Sequence, residues 1–354
     1  MNLLTFIYTY RERDTQDIKR FLNSLESLKK QTKKDFEVVC VDYGNCESAM
    51  TKLNELISQY SFCRVLRTET QGFLWNRSHA LNTAIRTVST PYLATTDIDA
   101  IFAPDFVATL YPSLEDKYYL VCGAHELSKD FSIEKINFSN GHALPEPKKN
   151  CGIFQAVETK KIQEIGGFDE YYRGWGKEDR DLDYRLQRSG LKKKNLWGQT
   201  FVFHQFHSKN DQPEFSFASE NFSQKKIDGS LWKNMCAHYL KNAHEIHRNT
   251  SSWGRLFLVD DRTTLSFLDA SGAIRKDIEL NSFKLTPDPL RNVNRFVYFF
   301  LETSAGQATL VRYQGENSFF ESFLFQTIPD AKEVVADYYF NFESEERFAL
   351  LIRK

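Results

Sequence analysis

The spacing of apolar positions alternates between two periods along the first half of the chain. Residues 3–10 form an apolar run that reads as a buried strand. In residues 15–30, Ile18, Phe21, Leu22, Leu25 and Leu28 then recur at helical spacing. The alternation continues with a strand over 36–41 that ends in Asp42-Tyr43-Gly44, a helix over 50–60, a strand over 63–66 and a helix over 78–88. Pro91 opens a further strand, PYLATTDID. Strands alternating with helices predict a parallel, Rossmann-like α/β sheet. Ligands of such sheets bind beyond the carboxyl ends of the strands, which sets Tyr10-Arg11, Asp42 and Asp97 to Asp99 on one rim. Residues 130–150 are polar, contain Pro145 and Pro147, and read as a loop over that rim. A strand over 151–156, a short helix over 158–165, a strand over 200–204 and one or two linking helices over 221–248 complete this part.

The texture changes after Trp253. RLFLVD, TLSFLDA, NRFVYFFLE, ATLVRYQ, SFFESFLF, VVADYYFNF and RFALLI are short β-rich runs separated by turn residues. They predict a C-terminal all-β module, antiparallel in pairing. The expected division is an α/β domain over 1–250 and the β module over 251–354, in line with the length prior for two domains.

Composition narrows the class. The chain has 354 residues, 41% hydrophobic and 26% charged, enough for a proper core and a solvated surface. Its 46 basic and 47 acidic residues leave a formal charge of -1, so charge offers no reason to expect nucleic acid or an anionic membrane as partner. The six cysteines include no Cys-x-x-Cys pair, which removes a zinc ribbon or thioredoxin-type motif and fits reduced thiols in a cytoplasmic setting. The apolar N-terminal run meets Arg11 and Arg13 directly and reads as a first strand, not as a signal peptide or anchor. No segment approaches the roughly 20 apolar residues of a membrane span.

The densest chemistry lies between Gly166 and Gly190, GGFDEYYRGWGKEDRDLDYRLQRSG. A glycine pair and an aromatic loop lead through Gly174-Trp175-Gly176 into Glu178, Asp179, Asp181 and Asp183. Leu182 and Leu186 mark a helix there, and Gly190 is placed to end it. Acidic residues in a first turn also serve simply to complement the helix dipole. A tryptophan between glycines, by contrast, suits a platform for the flat apolar face of a sugar. Asp97-Ile98-Asp99 follows a strand, and a period of two sends both carboxylates to one face, where they can hold a divalent cation and contact a ribose. Alone, Asp-x-Asp is also an ordinary surface turn. His204 and His207 lie three apart just past a strand, as metal ligands or as ordinary hydrogen-bonding histidines. Arg11, Arg13 and Arg77 carry guanidinium forks suited to a diphosphate, or to solvent.

In chain order, TYRERD, GFLWNRSHALN, TTDIDAIF, GIFQAVETKKIQEIGGFDEYYRGWGKEDRDL and HQFHSKND resemble the inverting β-1,4-galactosyltransferase group and the galactosaminyl-transferring domains of chondroitin polymerases. The resemblance covers residues 3–212 and leaves the β module out. It implies a GT-A glycosyltransferase fold, a UDP-sugar donor and a glycan acceptor. It further implies a Mn2+ (or Mg2+) ion held by Asp99 and His207, with His204 standing where the family's Met-x-x-His pattern has methionine. On the same footing Asp97 contacts the donor nucleotide, Arg11, Arg13 and Arg77 hold its diphosphate end, and Glu178 and Asp179 bind the acceptor, with Asp179 as the base. Asp42 joins the donor side by its place on the rim, and Trp175 the acceptor side.

The function expected is a metal-dependent inverting transfer of galactose or N-acetylgalactosamine to a glycan hydroxyl, in bacterial surface polysaccharide synthesis. The β module is expected to position long acceptors or mediate self-association. The competing reading is a carbohydrate-binding protein on a decayed transferase scaffold, against which the intact set of Asp97, Asp99, Glu178, Asp179 and His207 argues. A two-function polymerase needs a second catalytic set, and one set is visible.

Overall fold

The computed structural model describes residues 2–12, 16–68, 70, 75–129, 152–172, 176–196, 199–207, 239–240, 242–249 and 253–256, with the backbone of five strands within 280–353. The alternation read from the sequence is there. β1 (Leu4–Tyr10), α1 (Asp17–Lys29), β2 (Phe36–Tyr43), α2 (Glu47–Ile57), β3 (Cys63–Thr68), α3 (Arg77–Ile85) and β4 (Tyr92–Thr96) follow one another. β2 runs two residues beyond the expected 36–41, so Asp42 and Tyr43 belong to the strand itself. A short β5 (Ala100–Phe102), α4 (Phe106–Leu110), β6 (Tyr118–Val121) and β7 (His125–Glu126) come next. β8 (Phe154–Glu158), α5 (Thr159–Glu164), α6 (Glu178–Arg188), β9 (Lys192–Asn195) and β10 (Val202–His204) complete the region.

Seven strands form the main sheet in the order β3-β2-β1-β4-β8-β6-β9. The parallel pairing expected from the alternation holds for the first four strands and not beyond them. β3, β2, β1 and β4 are parallel, whereas β8 runs antiparallel to both β4 and β6. A buried apolar run has the same composition in either direction, so orientation was not in the pattern. Between β1 and β4 the strand order reverses, the point where sheets of this kind bind ligands beyond the carboxyl ends. A second sheet of three strands, β5-β10-β7, lies beside this rim.

Alternation along each strand divides the core in two. Phe6, Tyr8 and Tyr10 of β1 and Val38 and Cys40 of β2 join Phe21, Leu25 and Leu28 of α1 on one face. Ile7, Val39, Val41 and Tyr43 meet Ala80, Leu81 and Ala84 of α3 and Leu182 and Leu186 of α6 on the other. α6 ends as its sequence predicts. Gly190 takes φ 97°, and Leu191 N–H reaches back to the Leu186 carbonyl at 3.1 Å.

In the C-terminal part, β11 (Leu280–Phe283), β12 (Phe296–Thr303), β13 (Gly306–Gln314), β14 (Asp337–Ser344) and β15 (Arg347–Arg353) pair antiparallel in the order β11-β12-β13-β15-β14. NRFVYFFLE, ATLVRYQ, VVADYYFNF and RFALLI fall on these strands, whereas TLSFLDA and SFFESFLF lie outside the described residues. So do the loop of 130–150 and most of the linking helix over 221–248, whose described end, 242–249, is turns and bends rather than helix. Among the described residues no helix is long and apolar enough to cross a membrane, and Cys40, Cys46, Cys63 and Cys122 are free thiols.

Candidate active site

The three-stranded sheet assembles one side of the site. β4 ends at Thr96, and Asp97-Ile98-Asp99 turns the chain into β5, with Ala100 N–H on the Asp97 carbonyl at 3.1 Å. The two carboxylates therefore do not emerge on one strand face, which corrects the period-two expectation: in a turn they separate. Asp97 accepts from Arg77, while Asp99 is buried and faces the histidines. β10 lies antiparallel to β5 with His204 opposite Ala100, and the Gln205 N–H bonds the Asp99 carbonyl at 3.0 Å. Asp99 Oδ2 is 3.2 Å from His204 Nε2 and 3.4 Å from His207 Nε2.

The ligand atoms of Asp99, His204 and His207 all lie within 4.8 Å of one another, the dimensions of a cation site. One carboxylate and two imidazoles are a donor set for a borderline divalent ion such as Mn2+, so the residues fit the ion the motifs imply. Burial disfavours a charge on His204, but its hydrogen bonds to Asp99 and Glu126 outweigh that and push its pKa up to about 9. Holding a cation requires His204 to give up a proton.

The donor rim continues along β1 and β2. The Arg11 guanidinium packs over the rings of Tyr43 and Trp75, 5.4 and 5.5 Å from their centroids, and its Nε donates to the Tyr43 carbonyl at 2.6 Å. Desolvation lowers its pKa to about 10, against the pull of Tyr43 and Asp42. Asp42 is buried and accepts from Asn45 Nδ2 at 2.5 Å. Arg13 lies outside the described residues. Tyr43 and Trp75 went unread in the sequence because an aromatic at a strand end or before a helix is ordinary core material.

The expected acceptor side rests on a buried scaffold. Asn82 of α3 donates to the Phe168 carbonyl and accepts the Phe168 N–H, both at 2.8 Å, which pins the loop after the glycine pair. Gly167 has φ 69°, and a Cβ there would collide with the Asn82 side chain, so the pair is required. Asp181 accepts from Arg185 Nε at 2.7 Å and from Arg248, which also stands 3.5 Å from Asp169; all four side chains are fully buried. Arg248 belongs to a segment that Asn249, Trp253 and Arg255 tie to the glycine-pair loop and to α3. None of these ties was read from the sequence. Asp181 and Arg185 at i and i+4 were its one visible sign.

This scaffold delivers Glu178 and Asp179 at the first turn of α6, after Lys177, whose φ of 77° is left-handed without being glycine. Arg77 opens α3 and spans the two sides. It donates to Asp97 Oδ1 and to Asp179 Oδ1, each at 2.9 Å, and stands 3.8 Å from Glu178. Its expected place among the diphosphate arginines is thus also a place between Asp97 and the first-turn carboxylates of α6. Glu178 is buried, and desolvation and Asp179 push its pKa up to about 8 against the opposing charge of Arg77. Trp175 lies outside the described residues.

Three comparisons bear on this site. No curated protein matches the chain significantly. Among solved structures, Staphylococcus aureus TarS 1-349 is 15% identical with a TM-score of 0.43, covering 58% of this chain and 60% of its own. The Pyrobaculum calidifontis mannosyltransferase PcManGT, in complex with GDP-Man and Mn2+, is 16% identical with a TM-score of 0.45 over 68% of this chain and 62% of its own. The catalytic domain of Drosophila β1,4-galactosyltransferase 7, in complex with xylobiose, is 16% identical with a TM-score of 0.40 over 64% of this chain and 79% of its own. The chain thus spans about three fifths of the first two structures. Residues 5–173, just under half of the chain, match the family described as Glycosyl transferase family 2.

Proposed function

We propose that the chain transfers galactose or N-acetylgalactosamine, with inversion, from a UDP-sugar to a glycan hydroxyl in the synthesis of a bacterial surface polysaccharide. The observation that carries this reading is the Arg77 bridge, one guanidinium hydrogen-bonded to Asp97 on the donor rim and to Asp179 on the acceptor helix. Group transfer needs donor and base within a sugar's reach of each other, and the bridge supplies that proximity.

The acceptor oxygen bonds to the anomeric carbon as the bond from that carbon to the diphosphate breaks on the opposite face. The hydroxyl proton passes to Asp179. Glu178, whose carboxyl is pushed toward its protonated form by burial and by Asp179, offers the acceptor a hydrogen bond rather than a base. Arg11, Arg13 and Arg77 offset charge on the departing diphosphate. Asp42, beside Arg11, Tyr43 and Trp75, completes the nucleoside end, and Trp175 stacks on the acceptor ring. Asp99, His204 and His207 would hold Mn2+ (or Mg2+), which would supply Lewis-acid stabilisation of the leaving diphosphate.

The transferase unit is placed in 1–250, in the cytoplasm, and the 251–354 module positions long acceptors or pairs two copies. Thermal shift with UDP-galactose, UDP-N-acetylgalactosamine and GDP-mannose, each with and without Mn2+, tests the donor. Protection is expected from a UDP-sugar and to depend on Mn2+. Equal protection by GDP-mannose removes the uridine assignment, and indifference to Mn2+ removes the metal.

A further inference from the structure

Glu126 belongs to no motif, yet it reaches the cation site through the small sheet. β10 runs between β5 and β7, so His204 is opposite Ala100 on one side and Glu126 on the other. The imidazole therefore has a carboxylate at each nitrogen, Asp99 Oδ2 at 3.2 Å from Nε2 and Glu126 Oε2 at 3.1 Å from Nδ1. A neutral imidazole offers a lone pair on one nitrogen and a proton on the other, and the partner of the second nitrogen selects which is which. In the neutral ring with its proton on Nδ1, the Nε2 lone pair is turned toward Asp99 and toward His207, whose own Nε2 is 3.4 Å from the same Asp99 oxygen.

We propose that Glu126 is a positioning residue for His204: it accepts the Nδ1 proton and holds the ring with Nε2 facing the cation. Glu126 is thereby what makes histidine serviceable at a position where the β-1,4-galactosyltransferase pattern has methionine. A thioether has one kind of donor atom and no tautomer to select, so it needs no such partner. The inference rests on the cation-site reading of Asp99, His204 and His207. Glu126 is itself 43% exposed, so water screens any attraction between its charge and a more distant cation.

The test is Mn2+ titration of the full chain, read by loss of the free-ion electron paramagnetic resonance signal, on wild type, Glu126→Ala, Glu126→Gln, His204→Met and the double variant Glu126→Ala/His204→Met. Glu126→Ala is expected to weaken Mn2+ binding by about 10- to 100-fold, the usual effect of removing such a partner. Glu126→Gln keeps an acceptor oxygen without the charge and is expected to retain most of the affinity. In the His204→Met background the alanine change should have no further effect. The visible spectrum of bound Co2+ should shift in Glu126→Ala and be the same in His204→Met with or without it.

Wild-type affinity in Glu126→Ala overturns the inference. An equal loss in the methionine background does so too, as does a glutamine variant as weak as the alanine one, because Glu126 would then act as a charge alone. Wild-type protein that ignores Mn2+ overturns the cation site itself, an outcome distinct from tight wild-type binding that Glu126→Ala leaves unchanged.

Discussion

Glu178→Gln removes one ionisable group from the cluster of Arg77, Asp97, Glu178 and Asp179 while keeping its shape and its hydrogen-bonding capacity. In the folded protein the Glu178 carboxyl is raised from 4.5 to about 8, first by desolvation and then by Asp179. Below about pH 4.5 it is protonated whether the chain is folded or not, and it costs nothing. Between about 4.5 and 8 the unfolded chain releases the proton while the folded chain keeps it, so stability falls as pH rises, and above 8 the penalty is constant. At 1.36 kcal/mol per unit the full shift corresponds to an upper bound of about 5 kcal/mol. Half of that, about 2.5 kcal/mol, moves Tm by about 5 to 10 °C in a domain of this size. Glutamine cannot titrate. The difference in Tm between Glu178→Gln and wild type should therefore grow in favour of the variant from about pH 5 to about pH 8 and then level off. Scanning fluorimetry without ligands reads it directly. Parallel curves across that range would refute both the raised carboxyl and the division of labour built on it.

The other predictions concern base, metal and scaffold. Asp179→Asn keeps the shape and loses the base, so turnover measured as UDP release should fall by about two to four orders of magnitude. Near-normal turnover would return the role to Glu178. Asp99→Ala and His207→Ala should each abolish Mn2+-dependent UDP binding with the circular dichroism spectrum unchanged, and a variant that binds Mn2+ as the wild type does is not missing a ligand. Arg248→Met leaves Asp169 and Asp181 buried, with Arg185 and Tyr172 still donating to Asp181. It should cost about 3–5 kcal/mol, or roughly 6 to 20 °C in Tm. A drop within about 2 °C would mean that the buried pairs contribute little.

The fold was legible where burial imposes a period. β1 and β2 are buried on both faces and read as apolar runs, and α1 shows its stripe at Phe21, Leu25 and Leu28. Legibility failed where a strand is made by its neighbour. β9 is Lys-Lys-Lys-Asn, with no apolar signal at all; it is a strand because it pairs with β6 at the sheet's edge, where lysines discourage further pairing. β7 is two residues long and exists because β10 lies beside it. The site follows the same rule. Asp99, His204 and His207 could be named from residue type and motif, while Glu126 could not, since it meets His204 across 78 residues of sequence.

Chain order separates what the site joins, and two structural devices do the joining. The small sheet fixes Asp99 against the histidines through backbone register, so that half depends on strand pairing and little on side-chain packing. α6 has no sheet partner to set its register. It is held instead by buried ion pairs, Asp181 to Arg185 within the helix and to Arg248 from 67 residues away. Such pairs contribute less to stability than well-packed apolar groups of the same size. They do impose a direction, because a carboxylate has to meet its guanidinium. Here the direction fixed is that of the first turn of α6, which carries Asp179 to Arg77. Arg77 in turn is anchored to Asp97, two residues from Asp99, so the two halves meet at a single guanidinium.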